Sequence, residues 1–196
     1  MFPTEKLGAC GLDVTIWDRA QIPLPERLFV GNAVIIDDFV FIMPGARAVL
    51  GDFVHIASFV SVLGGGELIV EDYAGLSSGV RIYTGTDDFL GGGLTGPTVP
   101  AELRAPVRRG TVHIGKHAVV GANSVVMPGV TIGEGATVGA LSLVNRDLEP
   151  WTVYAGSPAR PIRLRDKDSV LTAESTCRHI AYDDVGVYLH SSAWRR

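Results

Sequence analysis

The sequence predicts an all-β chain wound as a parallel β-helix of hexapeptide repeats. Aliphatic residues recur at intervals of six in the second half of the chain, at Ile114, Val120, Val126, Ile132, Val138 and Val144. Small residues, including Ala118, Ser124 and Ala136, stand four places after several of them. A spacing of six fits neither a helix, which repeats about every 3.6 residues, nor a strand, which alternates every two. It is typical of a solenoid in which each six supplies one short strand and one corner.

The same register runs through the first half of the chain. Its aliphatic residues form three triplets: Val30, Ile36 and Ile42; Leu50, Ile56 and Val62; and Val70, Leu76 and Ile82. Three sixes make one turn, so five coils are expected, with aliphatic side chains inside and glycines at the tight corners. Stacked coils share one core. We therefore expect an N-terminal segment and capping coil over 1–27, the β-helix over 28–147 and a C-terminal segment over 148–196.

Two stretches depart from the register. The first, within 85–111, reads "GTDDFLGGGLTGPTVPAELRAPVRRG" and is predicted to be one long excursion loop, because it is rich in Gly and Pro and long enough to carry function. Asp87 and Asp88 stand at its root. The second is a short C-terminal tail from Asp166 to Arg196, for which a short helix and a frayed end both remain open.

Composition excludes several classes of function. A net charge of -4 gives no general attraction to nucleic acid. No apolar run approaches the roughly 18 residues that a bilayer crossing needs, and "MFPTEKLGAC" lacks the profile of a signal peptide, so we expect a cytoplasmic protein without membrane insertion. Cys10 and Cys177 have no metal-type spacing.

The block "IGKHAVVGANSVVMPGVTIGEGATVGALSLVNRDLEPWTVYAGSPARPI" resembles the C-terminal half of the hexapeptide-repeat acyltransferases that act on galactosides, maltose and xenobiotics. The stretches "HIASFVSVLGGGELIVEDYAGLSSGVRIYTGTDDF", "LTGPTVP" and "VGALSLV" are more similar to bacterial enzymes that N-acetylate nucleotide-linked 4-amino-4,6-dideoxy sugars for surface polysaccharides such as O-antigen. This resemblance implies a left-handed β-helix, a homotrimer with active sites between adjacent subunits, and acetyl-CoA as donor.

One departure from the galactoside type bears on the acceptor. Those enzymes carry a His-Pro pair, with the histidine as general base, where this chain has "TGTDDF". A hydroxyl needs a base to remove its proton, whereas an amine needs only to shed its ammonium proton. The substitution favours N-acetylation of an amino sugar. O-acetylation of a polysaccharide or its precursor remains the alternative.

His55 is the candidate general base, because it precedes the inward Ile56 and should project outward. Its alternative role is a hydrogen bond at a subunit interface, and His117 is the second candidate base. Asp87 and Asp88 are candidates to bind the sugar's ammonium and hydroxyl groups, unless they only form a turn. Tyr83 and Arg108 complete the predicted substrate site, and the remaining histidines, His113, His179 and His190, are expected to be solvated.

The resemblance places the CoA arm along the coils. By motif alignment, the positions that would contact it are Ala122, Ala140, Asn145, Arg146, Arg160 and Arg163, and Arg165 adds to the same basic group. The implied mechanism is direct transfer in a ternary complex with no metal. The spacing of His113 and His117 does not fit the zinc enzymes that share this fold, and a non-catalytic scaffold is the third possibility.

Overall fold

A computed structural model describes residues 1–193. The chain winds as a three-sided parallel β-helix, and its coils contribute short strands to three sheets of six, eight and five strands. The first sheet contains β1 (Ala9–Cys10), β3 (Leu28–Val30), β6 (Arg47–Leu50), β9 (Glu67–Val70), β14 (Val112–Ile114) and β17 (Thr131–Ile132). The second contains β2 (Thr15–Ile16), β4 (Ile35–Ile36), β7 (His55–Ile56), β10 (Gly75–Leu76), β15 (Val119–Val120), β18 (Thr137–Val138), β20 (Thr152–Ala155) and β21 (Arg160–Leu164). The third contains β5 (Phe41–Ile42), β8 (Ser61–Leu63), β11 (Arg81–Tyr83), β16 (Val125–Val126) and β19 (Leu143–Val144).

The predicted six-residue register is confirmed by burial. All fifteen aliphatic residues of the register point inward, from Val30 at 4% exposure to Val144 at 0%. The small residues Ala118, Ser124 and Ala136 are also fully buried and fill the space between the aliphatic side chains. Parallel pairing begins before residue 28, where β1 pairs with β3, and continues past 147, where β20 pairs with β18.

The corners of the prism differ from the expectation that glycine occupies them. The corner between the first and second sheets, here called the first corner, places residues with positive φ one above the other: Asp13, Ala33, Phe53, Tyr73, His117, Gly135 and Trp151. The second corner, between the second and third sheets, does the same with Phe39, Phe59, Gly79, Asn123 and Leu141. Stacking of side chains accompanies this unfavourable backbone, since the rings of Phe53 and Tyr73 lie 5.0 Å apart and nearly parallel.

The excursion leaves at the third corner, where the third sheet leads to the first sheet of the next coil. It begins with an antiparallel ribbon of β12 (Gly85–Thr86) and β13 (Arg108–Arg109). Short 3-10 helices cover Thr4–Lys6, Pro25–Arg27, Ala101–Leu103 and Ser191–Ala193.

The C-terminal tail forms the helix α1 (Lys167–Ala181) and then an extension as far as Ala193, so its first half is the helix of the two predicted alternatives. The last three residues of the predicted tail, 194–196, lie outside the described residues. Asp166 caps α1 by accepting a hydrogen bond from the Ser169 amide. The tail lies along the first corner, where the Tyr182 hydroxyl donates to Asp52 at 2.5 Å and the Tyr188 hydroxyl donates to Asp13 at 3.0 Å. Within residues 1–193, no helix combines the length and apolar character that crossing a membrane requires.

Candidate active site

His55 lies on the outer surface of the second sheet. Its inward neighbour Ile56 anchors β7 in the core, so the imidazole projects away from the prism and is 54% exposed. On either side in the sheet, His55 aligns with Ile35 of β4 and Gly75 of β10. The predicted outward orientation of this histidine is therefore the one observed.

A carboxylate holds the His55 ring. The Asp37 Oδ2 atom lies 3.1 Å from His55 Nε2 and comes from the preceding coil, one residue after the inward Ile36. An ionised carboxylate only accepts hydrogen bonds, so Nε2 carries the hydrogen in this contact. A neutral ring then presents Nδ1 as its acceptor, which gives His55 a defined orientation for taking up a proton.

A shallow groove opens beside this histidine. It has a volume of about 400 Å³ and is lined by His55, Ala57, Gly75, Leu76, Ser77, Ser78 and Val119. Leu76 points into the core, whereas Gly75 presents no side chain to the surface. The groove thus combines a possible proton acceptor with apolar and hydroxyl-bearing walls.

A row of small residues connects this groove to the last coil. The strand register of the second sheet aligns Ala57, Ser77, Gly121, Gly139 and Ala155 along the edge nearest the second corner. Beyond Ala155 lies β21, which carries Arg160 and Arg163 on its exposed surface. From β7 to β21 is five strand spacings, or about 24 Å. An extended chain with an anionic head group could lie along this row with little steric hindrance.

The predicted CoA-binding residues lie on different parts of the surface. Ala122 and Ala140 flank the second corner, adjacent to the row of small residues. Asn145 and Arg146 are exposed but follow β19 in the third sheet, away from Arg160 and Arg163.

Arg165 does not belong to the exposed basic group. Its guanidinium donates hydrogen bonds to the carbonyl oxygens of His117 at 2.7 Å and Gly135 at 2.9 Å. Burial lowers the pKa of this guanidinium. We conclude that Arg165 supports the first corner, a role that a motif alignment could not reveal.

The two aspartates of the excursion differ from each other. The Asp88 carboxylate accepts hydrogen bonds from the amides of Leu90 and Gly92, both at 2.9 Å, and these bonds lower its pKa. It therefore forms a turn, the alternative that the sequence left open. Asp87, next to it, is partly exposed at the end of the β12–β13 ribbon.

The other two substrate candidates lie at the same end of the excursion. Arg108 is opposite Thr86 in the ribbon, and Tyr83 is the last residue of β11.

His117 cannot serve as the base, which corrects the second prediction. The residue is outside the prism as expected, but α1 covers it and leaves it 5% exposed. Its Nε2 lies 2.8 Å from the Glu174 carboxylate, and its ring stacks on Tyr73 at 5.1 Å. His113, expected to be solvated, is half-buried and contacts Glu71 at 2.7 Å, whereas His179 and His190 are exposed.

Within one chain, His55 and the excursion face opposite directions. The excursion leaves at the third corner, and in a three-sided prism that corner lies across from the second sheet, which carries His55. A single chain therefore does not bring Asp87 to the His55 groove.

Asp37 and Gly75 were missed as site residues by sequence reasoning. Both could have been found from the repeat. Each coil before Ile82 spans about twenty residues, so residues twenty apart, such as Ile35, His55 and Gly75, lie side by side in neighbouring strands. Asp37 is two residues beyond Ile35 and thus lies diagonally next to His55.

Comparison with known proteins identifies similar chains. The profile of the family described as "Bacterial transferase hexapeptide (six repeats)" matches residues 111–146. The dTDP-4-amino-4,6-dideoxy-D-glucose acyltransferase of Escherichia coli is 39% identical over 175 residues, which cover 89% of this chain and 90% of the relative.

Solved structures of AntD, an N-acyltransferase from Bacillus cereus, are similar over most of their length. The complex with dTDP and 3-hydroxybutyryl-CoA has a TM-score of 0.83 and 35% identity, and covers 89% of this chain and 92% of AntD. A serine-to-alanine variant with dTDP-4-amino-4,6-dideoxyglucose and coenzyme A has a TM-score of 0.84 and 34% identity, with 89% and 93% covered. The hexapeptide match agrees with the predicted left-handed β-helix.

Proposed function

This chain belongs to the hexapeptide-repeat acyltransferases, and on that premise we propose that it transfers an acetyl or similar short acyl group from a CoA thioester to the 4-amino group of a nucleotide-linked 4-amino-4,6-dideoxy sugar. The observation that carries the proposal is the His55–Asp37 pair, set in an open groove at one end of a row of small residues whose other end carries Arg160 and Arg163. The similarity to the E. coli dTDP-amino-sugar acyltransferase and to AntD supports the choice of acceptor and donor.

In the proposed reaction the amine attacks the thioester carbonyl directly, within a ternary complex. The C–N bond forms as the C–S bond breaks, and CoA leaves as a thiol. His55 accepts the proton that the nitrogen of the tetrahedral intermediate must lose, Asp37 holds the ring while it is charged, and the proton then passes to the departing CoA thiolate. Arg160 and Arg163 would bind CoA phosphates, for which exposed guanidinium groups are well suited.

We further propose a homotrimer in which each site lies between two subunits. Because His55 and Asp87 face opposite directions in one chain, a second copy would have to supply the excursion that carries Asp87. Phe39 and Phe59 stack at 5.2 Å next to the groove and remain 47% and 56% exposed, which is typical of a surface that a partner covers. Asp87 would then bind the sugar's ammonium group beside the thioester, and the group would lose one proton to solvent before it attacks as an amine.

The expected setting is the cytoplasm, where CoA thioesters and nucleotide sugars are made, and the expected product is an N-acylated sugar for a surface polysaccharide such as O-antigen. The decisive experiment incubates the protein with acetyl-CoA and a panel of nucleotide-linked amino and hydroxy sugars, followed by mass spectrometry. The proposal expects a mass increase of one acetyl group on 4-amino sugars alone. Acetylation confined to hydroxyl groups would contradict it and support the O-acetyltransferase alternative.

A further inference from the structure

A glycine occupies a position next to His55 at which the fold does not require one. Gly75 lies in β10, its φ is outside the left-handed region, and a Cβ placed on it would have no heavy atom within 4 Å. By contrast, a Cβ on Gly121, the residue that follows β15, would meet the Ala140 amide nitrogen at 2.6 Å. Glycine in the middle of a strand makes the folded chain less stable than alanine would, so the fold by itself gives no reason for a glycine at position 75.

The missing side chain makes a recess in the groove. His55 stands on one side of it in β7 and Val119 on the other in β15, while Ser77 continues β10 beyond it. The surface above Gly75 is therefore lower than the surface on either side. A glycine in such a place is typical of a site where a ligand closely approaches the backbone.

The geometry of the proposed reaction indicates which atoms of the two substrates would lie in this recess. The thioester would arrive along the row of small residues from Arg160 and Arg163, and its carbonyl carbon must lie near His55 for the base to act on the attacking amine. Gly75 lies directly beside His55 in the sheet, between it and Val119, so a carbonyl carbon held near His55 is also next to the recess. The atoms beyond the carbonyl can turn off the row along β10 and enter the space between His55 and Val119. Those atoms are the acyl chain of the donor.

We propose that the recess above Gly75 holds the acyl chain of the CoA thioester and that Gly75 sets the longest chain accepted. This inference rests on the proposed function, since it assumes a CoA donor. The Val119 and Ala57 side chains give the recess apolar walls, which suit a short aliphatic chain. A methyl group on residue 75 would occupy space that such a chain needs.

The test is calorimetric titration of the intact protein with CoA, acetyl-CoA and butyryl-CoA, which needs no turnover. The variants are Gly75→Ala and Gly75→Val, with Thr131→Val as a matched control, because Thr131 is exposed on the first sheet. Both Gly75 variants should bind CoA with a Kd within about twofold of the wild type. Butyryl-CoA should bind about tenfold more weakly to Gly75→Ala, and still more weakly to Gly75→Val.

The outcomes separate this inference from the proposed function. Wild-type protein that binds no CoA compound would overturn the proposed function itself. An equal loss of affinity for all three compounds, or unchanged binding of butyryl-CoA to both variants, would overturn the role of Gly75. Light scattering of each variant adds a further check, because loss of subunits would show that a partner's backbone covers Gly75 instead. Thermal unfolding midpoints of the Gly75→Ala variant should be unchanged or higher.

Discussion

Removal of the Glu174 carboxylate should release α1 from the β-helix. The Glu174 side chain is 9% exposed and accepts hydrogen bonds from Lys116 Nζ at 2.5 Å and His117 Nε2 at 2.8 Å. Each bond to a charged group is worth about 1.5–3 kcal/mol, and a buried pair that loses one partner costs about 3–5 kcal/mol. Lys116 is 29% exposed and can turn to water, so we expect about 3 kcal/mol for Glu174→Ala.

Hydrogen exchange of the α1 amides measures this loss directly. A docking free energy lowered by about 3 kcal/mol accelerates exchange about 100-fold, because each 1.4 kcal/mol is a factor of ten. The matched control is Thr172→Ala, since Thr172 is on the exposed side of the same helix. If exchange in Glu174→Ala stayed within threefold of the control, the carboxylate would not be what holds α1.

The same group gives docking a pH dependence of known sign. Burial alone would raise the pKa of the Glu174 carboxyl, but the hydrogen bonds and charges of Lys116 and His117 outweigh it and lower the pKa. Because the folded pKa lies below the unfolded value of about 4.3, this stabilisation is present above about pH 4.3 and lost as pH falls through the folded pKa. The α1 amides should lose protection in acid, and Glu174→Gln should abolish that dependence while retaining a polar side chain.

Three further predictions concern the site. His55→Asn should lower kcat about 100-fold, and Asp37→Asn should lower it about tenfold, both with KM nearly unchanged. Thiol release from acetyl-CoA measures both constants, and a rise in KM as large as the fall in kcat would indicate a binding role for the substituted residue instead. Asp88→Ala should speed limited proteolysis of the excursion about fivefold per hydrogen bond lost, and an unaltered cleavage rate would show that its turn does not order the loop. Arg163→Ala should raise the KM for acetyl-CoA about tenfold without changing the thermal unfolding midpoint, whereas Arg165→Ala should lower that midpoint by about 4–8 °C. A raised KM for Arg165→Ala together with a lowered midpoint for Arg163→Ala would contradict both assignments.

The core of this protein could be predicted from spacing alone. Every register position from Val30 to Val144 is buried, and eleven of the fourteen intervals between these positions are six residues, because each coil repeats the environment of the coil before it. The outward direction of His55 follows from the same rule. Local periodicity was sufficient here because neighbouring coils determine the position of each residue.

The tail and its effect on His117 could not be predicted in this way. The contacts that order the tail join residues far apart in sequence, as when Ser191 donates to Asp13 across 178 positions. These contacts are polar and irregularly spaced, so no periodic pattern of apolar residues predicts them. The same long-range packing explains why His117, which points out of the prism, is buried under α1. It also explains why the guanidinium of Arg165, which was predicted to join the basic group, donates to two backbone carbonyls.

The path of the tail changes how the β-helix resists unfolding. A stack of coils held only by nearest neighbours can fray from either end, one coil at a time. Here Lys167 lies over Trp151 of the last coil at 5.4 Å, and Ser191 reaches Asp13 of the first coil. The tail thus joins the two ends of a linear array, and fraying at one end strains contacts at the other. We expect the stacked coils to melt as one cooperative unit rather than to unfold one after another.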